Sequence, residues 1–207
     1  MVGRYQTEQE EFWAGEFGNA YIGRNIEDKI VAGNTAMFVK ALSEAGQIKS
    51  CLEFGANIGL NLRALRHLYP DAHLRGIEIN PQAAKILRDC VGDDNVFEGS
   101  IFDFETDATS DLVLIKGVLI HINPEMLDVV YTKLYESTNK YVLVCEYYNP
   151  SPVTVRYRGH DDRLFKRDFA GEMLAKFPGL RLVKYGFAYR GDQSFPLDDI
   201  TWFLLSK

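Results

Sequence analysis

The sequence has few cysteines and no long hydrophobic run. Its first residues, MVGRYQTEQEEFW, contain no apolar stretch after a basic start, so we predict neither a signal peptide nor a membrane span. The three cysteines, Cys51, Cys90 and Cys145, lie far apart and lack the spacing of metal ligands or of a redox pair. We therefore expect reduced thiols in a cytoplasmic protein without a bound metal ion.

An excess of positive charge is also missing. The chain has 23 Lys and Arg against 29 Asp and Glu, a net charge of −6. Nucleic-acid binding depends largely on a basic face that meets phosphates, so we expect no DNA or RNA partner. A small local anion site is still compatible with this charge. The sequence shows no internal repeat and no low-complexity linker, which predicts one domain over 1–207, and nothing in it indicates an oligomeric state.

Apolar strand-like runs alternate with helical patterns along most of the chain. Predicted strands lie at 50–54, 72–79, 111–120 and 140–148, with a brief strand and a loop within 95–104, and predicted helices lie at 27–46, 59–69, 81–91, 124–138 and 168–177. This alternation implies right-handed crossovers and a parallel sheet. The chain ends instead with two successive strands, LRLVKYGFAY and DITWFLLSK, which predict an antiparallel hairpin. The expected fold is an α/β, mostly parallel seven-stranded sheet with helices on both faces.

A glycine-containing turn follows the first predicted strand, in LEFGANIGLN (52–61). Dinucleotide sites use G-x-G-x-x-G, but here Asn57 stands where the middle glycine would be. The E-x-G-x-x-x-G spacing of Glu53, Gly55 and Gly59 resembles motif I of Rossmann-like class I methyltransferases. In that superfamily the bare backbone lets the methionine and ribose parts of S-adenosylmethionine lie over the loop. The resemblance implies cofactor contacts at Glu53, Gly55, Ala56, Asn57 and Gly59.

Three later strand ends carry the other residues that this resemblance assigns to the cofactor. Glu78, with Ile79, closes the second strand, where a carboxylate can accept both ribose hydroxyls. Ser100 and Ile101 would meet the adenine edge and face, although many relatives carry an acid where Ser100 stands. The loop after the fourth strand would border the transferable methyl through Lys116, Gly117 and Val118. Nicotinamide enzymes also place an acid like Glu78, but the glycine spacing and the terminal hairpin disfavour a nicotinamide oxidoreductase.

An aromatic and glycine-rich segment, EFWAGEFGNAYIGRN (11–25), precedes the first core helix. In this fold such a segment often folds over the cofactor, so we predict that residues 1–26 form a lid. Tyr21 and Arg24 are the candidate contacts, since Arg24 can meet a carboxylate bidentately. The alternative is an aromatic strip docked on the sheet.

A long segment without clear periodicity, residues 148–167, follows the fifth strand at the edge where ligands bind in open α/β sheets. We predict that it forms a substrate loop for a small, anionic acceptor. The candidate substrate residues are Tyr147, Tyr148, Arg156, Arg158, Arg163 and Lys166. His160 with Asp161 is one candidate base and orienting partner, and His121 is another. The alternatives are a solvated loop with internal salt bridges and a structural His121.

Several longer segments make the resemblance more specific. They are EFWAGEFGNAYIGRN, LEFGANIGLN, GVLIHINP, EYYNPSP, YRGHDDRLFKRDFAGEM and DDITWFLL. Together they resemble the pseudaminic acid biosynthesis-associated methylase family. The resemblance implies transfer of a methyl group from S-adenosylmethionine, with S-adenosylhomocysteine as product, to an O or N of a pseudaminic or nonulosonic-acid-type sugar, its precursor or a nucleotide conjugate. Another small acceptor, such as an amino acid or peptide derivative, and a non-catalytic cofactor-binding role are the alternatives.

Overall fold

The computed structural model describes residues 5–23 and 28–207, and a seven-stranded sheet lies at its centre. The strands are β1 Ser50–Phe54, β2 His73–Glu78, β3 Val96–Glu98, β4 Ser110–Lys116, β5 Thr138–Glu146, β6 Val153–Tyr157, β7 His160–Lys166, β8 Arg181–Ala188 and β9 Ile200–Ser206. The sheet order is β3-β2-β1-β4-β5-β9-β8, while β6 and β7 pair separately. The first five strands are parallel and the last two are antiparallel, as predicted.

The central strands are apolar at nearly every position because both faces of the sheet are covered. In β4, Leu112 and Leu114 pack into the core on one face, and Val113 and Ile115 pack into the core on the other. All four side chains are fully buried. Each such burial contributes about 1.5–3 kcal/mol relative to exposure. This two-sided core anchors the strand ends that carry the polar residues described below.

Helices surround the sheet. They are α1 Glu8–Ala14, α2 Glu16–Ile22, α3 Asp28–Ala41, α4 Leu60–Leu68, α5 Pro81–Val91, α6 Leu127–Glu136 and α7 Phe169–Lys176. Local capping explains several starts: the Asn80 side chain accepts hydrogen bonds from the backbone N–H of Gln82 and Ala83, with Pro81 at the first helical position. The helix predicted from 124 begins as a 3-10 turn over Pro124–Met126. None of the helices in the described ranges has the length and apolarity needed to cross a bilayer.

The segment predicted as an irregular loop at 148–166 contains instead the β6–β7 hairpin. Tyr157 pairs with His160 across a two-residue turn, in which Arg158 and Gly159 have φ of 50° and 89°. Two positive φ values are the mark of a type I′ turn, the geometry that suits a two-residue hairpin loop. The Arg-Gly pair lacks the usual Asn or Asp, and most of β6 is exposed. The apolar alternation that predicts strands is therefore weak here.

Candidate functional site

A cavity of about 470 Å³ lies at the carboxyl ends of the parallel strands. This is the edge where open α/β sheets bind ligands. The loops after β1 to β4 line it with Gly55, Ala56, Asn57, Glu78, Ile79, Ser100, Ile101, Lys116, Gly117, Val118 and His121. The lid adds Glu10, Trp13 and Tyr21, and the β8–β9 connection adds Leu197 and Asp198. Of the predicted cofactor residues, Glu53 and Gly59 lie behind the lining, and Arg24 is outside the described residues.

Glu78 joins the motif loop to the end of β2. Its Oε2 accepts a hydrogen bond from the backbone N–H of Asn57 at 2.7 Å, and its Oε1 accepts one from the N–H of Asn80 at 2.7 Å. Burial raises the pKa of Glu78 to about 7, although these N–H groups pull the pKa down. The carboxyl group therefore holds Asn57 in its left-handed conformation, with φ of 48°, and still faces the cavity.

Glu53 is fully buried beneath the same loop. Its Oε1 accepts a hydrogen bond from Asn61 Nδ2 at 2.6 Å, and burial raises its pKa to about 8. Its Oε2, the Oδ1 of Asn61 and the Oδ1 of Asn34 are all buried without a hydrogen-bond donor among the described residues. Both asparagines line the cavity. Because an unsatisfied buried acceptor costs about 1–3 kcal/mol, these oxygens mark a place suited to a donor group.

The two motif glycines are required by crowding within the protein. A Cβ on Gly55 would lie 2.6 Å from Val118 Cγ2, and one on Gly59 would lie 2.9 Å from Leu87 Cδ1. Both glycines have positive φ, 72° and 82°. Crowding within the protein thus gives a packing reason for both glycines, beside the expectation that the cofactor lies over this loop. Gly59 begins α4 and packs against α5, away from the cavity lining.

Another buried acid, Glu146, lies at the end of β5 and supports the loop after β4. Its Oε1 accepts hydrogen bonds from the backbone N–H groups of Val118 and Leu119, each at 2.9 Å. Burial raises the pKa of Glu146 to about 7. Sequence reasoning missed this residue. The available signal is an acid that closes a strand otherwise apolar through its middle.

The lid closes the cavity with aromatic side chains. The Trp13 ring lies 4.7 Å from the His121 ring and 5.3 Å from the Tyr21 ring, between centroids. Gln9 Nε2 donates to the backbone carbonyl of Asp162 at 3.1 Å, which ties α1 to the β6–β7 hairpin. The predicted lid therefore covers the strand ends, and it is held by the segment predicted to bind substrate.

His121 is a neutral residue of the cavity wall. Its Nδ1 lies 2.5 Å from the backbone carbonyl of Arg163. A carbonyl only accepts, so Nδ1 carries the proton and Nε2 carries the lone pair. Only 7% of the residue is exposed, and burial lowers its pKa to about 4. At neutral pH His121 can therefore accept a proton without first losing one.

The other base candidate lies outside the cavity lining. His160 is exposed, and its ring packs edge-on against Phe12 with 5.0 Å between centroids. Asp161 is paired with Arg156 at 3.8 Å on the hairpin surface. Neither His160 nor Asp161 is among the residues that line the cavity.

Two of the four cations predicted to hold an acceptor have carboxylate partners within the protein. Arg156 pairs with Asp161, and Arg163 pairs with Glu8 at 3.0 Å. Arg158 lines the cavity, and Lys166 lies over the Tyr147 ring with Nζ 5.2 Å from its centroid. Arg158 and Lys166 are therefore the two predicted cations that face concave surface.

A second depression of about 530 Å³ adjoins the cavity, and we call it the aromatic groove. It is lined by Tyr147, Tyr148, Lys166, Phe187, Tyr189, Arg190, Asp198, Asp199 and Thr201. Tyr147 and Asp198 line both the cavity and the groove, so the two spaces share a wall. Sequence reasoning placed Tyr147, Tyr148 and Lys166 near a substrate. It missed the β8–β9 residues, which no motif marks.

Metal-ligand side chains do not cluster in the part of the chain that the structure describes. No group of three His, Cys, Asp or Glu side chains there is arranged to hold an ion.

No protein-family model matches the sequence, and no curated protein matches it either.

Solved methyltransferases share the fold. The 1,6-didemethyltoxoflavin-N1-methyltransferase of Burkholderia thailandensis, solved with S-adenosylhomocysteine, matches with a TM-score of 0.71 and 13% identity over 100% of this chain and 93% of that chain. An amino pentose methyltransferase of Micromonospora echinaspora, bound to S-adenosylmethionine, matches with a TM-score of 0.62 and 13% identity over 92% of this chain and 95% of that chain. The mitomycin 7-O-methyltransferase matches with a TM-score of 0.66 and 13% identity over 97% of this chain. The match spans 61% of that protein. The chain therefore has the Rossmann-like fold of class I S-adenosylmethionine-dependent methyltransferases.

Proposed function

We propose that the protein is an S-adenosylmethionine-dependent methyltransferase acting on a small molecule. One observation carries the proposal: a lidded cavity at the strand ends is lined by a glycine turn and the buried carboxyl group of Glu78, with the buried Glu53 behind that lining. Two solved proteins of the same fold hold S-adenosylhomocysteine or S-adenosylmethionine.

The ribose hydroxyls fit Glu78. Each carboxylate oxygen already accepts one backbone N–H, and a carboxylate has about four acceptor sites in all. Two sites remain for a pair of hydroxyl donors, and such charge-assisted hydrogen bonds are strong. The N–H bonds to Asn57 and Asn80 fix the carboxyl orientation before the ligand arrives.

The ammonium group of the methionine part fits the three unpaired oxygens near α3 and α4. An ammonium carries three N–H donors, and Glu53 Oε2, Asn61 Oδ1 and Asn34 Oδ1 all lack a donor. Glu53 also supplies negative charge when it is ionised. Asn34 and Asn61 line the cavity, so their unpaired oxygens support a ligand with an ammonium group over one without donors.

When bound, the sulfonium supplies the methyl group and the positive charge for an in-line displacement. The protein must then orient the acceptor, exclude water and, for a hydroxyl acceptor, take a proton. Trp13 and Tyr21 of the lid exclude water from the cavity. Nε2 of His121 is the proton acceptor, held in the correct tautomer by the Arg163 carbonyl.

The acceptor lies at the wall that the cavity shares with the aromatic groove. A cofactor of this size fills most of a cavity of about 470 Å³, so the acceptor extends beyond it. The groove offers exposed aromatic faces at Tyr148, Phe187 and Tyr189, with Lys166 beside them. Flat apolar faces next to a cation suit a small acidic sugar of the pseudaminic or nonulosonic-acid type, or its nucleotide conjugate.

The test combines binding and turnover. Calorimetry should detect S-adenosylhomocysteine binding, with no binding of a pyridine dinucleotide. The Glu78→Gln variant should bind S-adenosylhomocysteine at least tenfold more weakly, whereas Glu136→Gln, an exposed carboxylate on α6, should match the unmodified protein. Mass spectrometry should then show gain of one methyl group on acidic sugars or their nucleotide conjugates, with amino acids and peptides as comparison acceptors. Binding of the dinucleotide alone would overturn the proposal.

A further inference from the structure

We propose that Glu10 of the lid helix α1 selects the base of the cofactor, by accepting a hydrogen bond from the exocyclic amino group of adenine. The inference rests on the proposed function and names the residue that gives it base specificity. Glu10 is a carboxylate that is only 7% exposed, and it lines the cavity. A charged side chain is rarely buried without a partner, so its contacts carry information.

One oxygen of Glu10 is committed to its own helix. Oε2 accepts hydrogen bonds from the backbone N–H groups of Gln6 and Thr7, both at 2.8 Å. With the Thr7 side chain these bonds form a capping box. The carboxylate is thereby fixed in position without any ligand.

The other oxygen faces the loop after β3. Oε1 of Glu10 forms a short hydrogen bond with Ser100 Oγ. Ser100 Oγ also accepts from the backbone N–H of Phe102 at 3.0 Å, so its own proton is donated to Glu10. A carboxylate oxygen has two acceptor sites, which leaves one site on Oε1 for a further donor. A molecule in the cavity can supply that donor, because Glu10 lines the cavity.

The surroundings of Glu10 match a flat base attached to the sugar at Glu78. The strand next to β2 is β3, and the backbone N–H of Gly99, just beyond β3, donates to the Glu78 carbonyl at 2.9 Å. A base joined to a ribose at Glu78 therefore reaches the loop that holds Ser100. There the cavity is lined by the apolar side chains of Ile79, Ile101 and Phe102. These can cover the faces of a ring while Glu10 meets its edge.

A carboxylate at this edge discriminates between purines. Adenine presents an amino donor, whereas hypoxanthine presents a carbonyl oxygen at the same position. The carbonyl would leave Glu10 unpaired and place two acceptors against each other. A site built to pair with a donor rejects the analogue that lacks it.

The experiment is calorimetry on the full chain with S-adenosylhomocysteine and its hypoxanthine analogue, S-inosylhomocysteine. The unmodified protein should prefer the adenine ligand by about ten- to a hundredfold, the range for a hydrogen bond to a charged group. Glu10→Gln should lose at least tenfold of that preference, because a carboxamide can donate to the carbonyl. Glu11→Gln, an exposed neighbour in the first turn of α1, should leave the preference unchanged.

Four further outcomes test the inference. If Glu10→Gln weakened the binding of both ligands equally, Glu10 would only cap α1 and hold the lid, and the inference would be overturned. Equal binding of the two ligands by the unmodified protein would overturn it without any variant, so a misfolded variant cannot protect it. Glu10→Asp keeps the charge but holds the carboxylate closer to the backbone and farther from the base, so it should also lose the preference. If neither ligand binds the unmodified protein, the proposed function fails as well.

Discussion

Nδ1 of His121 donates a hydrogen bond to the backbone carbonyl of Arg163 across 2.5 Å. This contact joins the turn after β4 to the β6–β7 hairpin, which sequence analysis did not predict. It sets the imidazole tautomer and leaves the Nε2 lone pair in the cavity wall. The histidine that the sequence placed beside a carboxylate, His160, instead packs against lid aromatics. This contact supports the proposal that His121, rather than His160, is the base.

Replacement of His121 by Gln should lower kcat for a hydroxyl acceptor by about 10²–10⁴-fold, the usual contribution of a general base. S-adenosylhomocysteine affinity should stay within a few-fold of the unmodified value. Because burial lowers the His121 pKa to about 4, titration of this group should cause no step in the rate between pH 5 and 8. Steady-state rates and calorimetry check both points. His160→Gln is the control, and a comparable loss of kcat there would contradict the assignment.

S-adenosylhomocysteine should bind more tightly as the pH rises from 6 to 8. Burial raises the pKa of Glu78 to about 7, so the free protein holds a proton that a ribose diol displaces by favouring the carboxylate. The affinity should increase by up to about tenfold per pH unit below that pKa and then level off. Calorimetry in two buffers of different ionisation enthalpy should show proton release. In Glu78→Gln the slope should shrink, and an unchanged slope would exclude Glu78 as its source.

The free energy of unfolding should fall between about pH 4.5 and 7 because of Glu146. Its folded pKa, about 7, lies above the unfolded value of 4.5, so the folded state binds more protons in this window. The stabilisation is complete below pH 4.5 and is lost as the pH passes 7. Glu146→Gln keeps an acceptor for Val118 and Leu119 but does not titrate. The free energy of unfolding of the variant, relative to that of the unmodified protein, should therefore be about 1–3 kcal/mol more favourable at pH 8 than at pH 4.5.

Urea unfolding at the two pH values measures this difference. Other groups titrate in both proteins and cancel in the comparison, including His121, whose lowered pKa acts in the opposite direction. Equal stability changes with pH in the variant and the unmodified protein would show that Glu146 does not carry the effect.

Asn34→Leu should separate stability from ligand binding. The Oδ1 of Asn34 is buried without a donor among the described residues, so its removal should raise the free energy of unfolding by about 1 kcal/mol. The same change should weaken S-adenosylhomocysteine by about tenfold, because the ammonium loses an acceptor. An analogue that lacks the amino group should bind both proteins equally. If the analogue loses as much affinity as the full ligand, Asn34 does not meet the ammonium.

Local patterns determined the sheet and the motif loop. The apolar runs in β4 and β5 are continuous because both faces of the sheet are covered, and that continuity is legible in a linear sequence. The acid-glycine spacing from Glu53 to Gly59 predicted the turn into α4 for the same reason, since its geometry depends on neighbours in the chain. The end of β2 at Glu78 followed from the same local alternation.

Only the tertiary structure decided which polar groups share the cavity. Glu10 meets Ser100 across 90 positions of sequence, and Asn34 reaches the wall from α3 on the far side of β1. The packing of His160 against Phe12 and Phe17 accompanies the β6–β7 pairing, whose exposed strand has little apolar alternation. Burial then sets the pKa values of His121 and Glu146. The sequence alone determined the sheet and its glycine turn, because those depend on adjacent residues, while long-range packing decided the chemistry, because desolvation and cavity lining depend on groups brought together from distant positions.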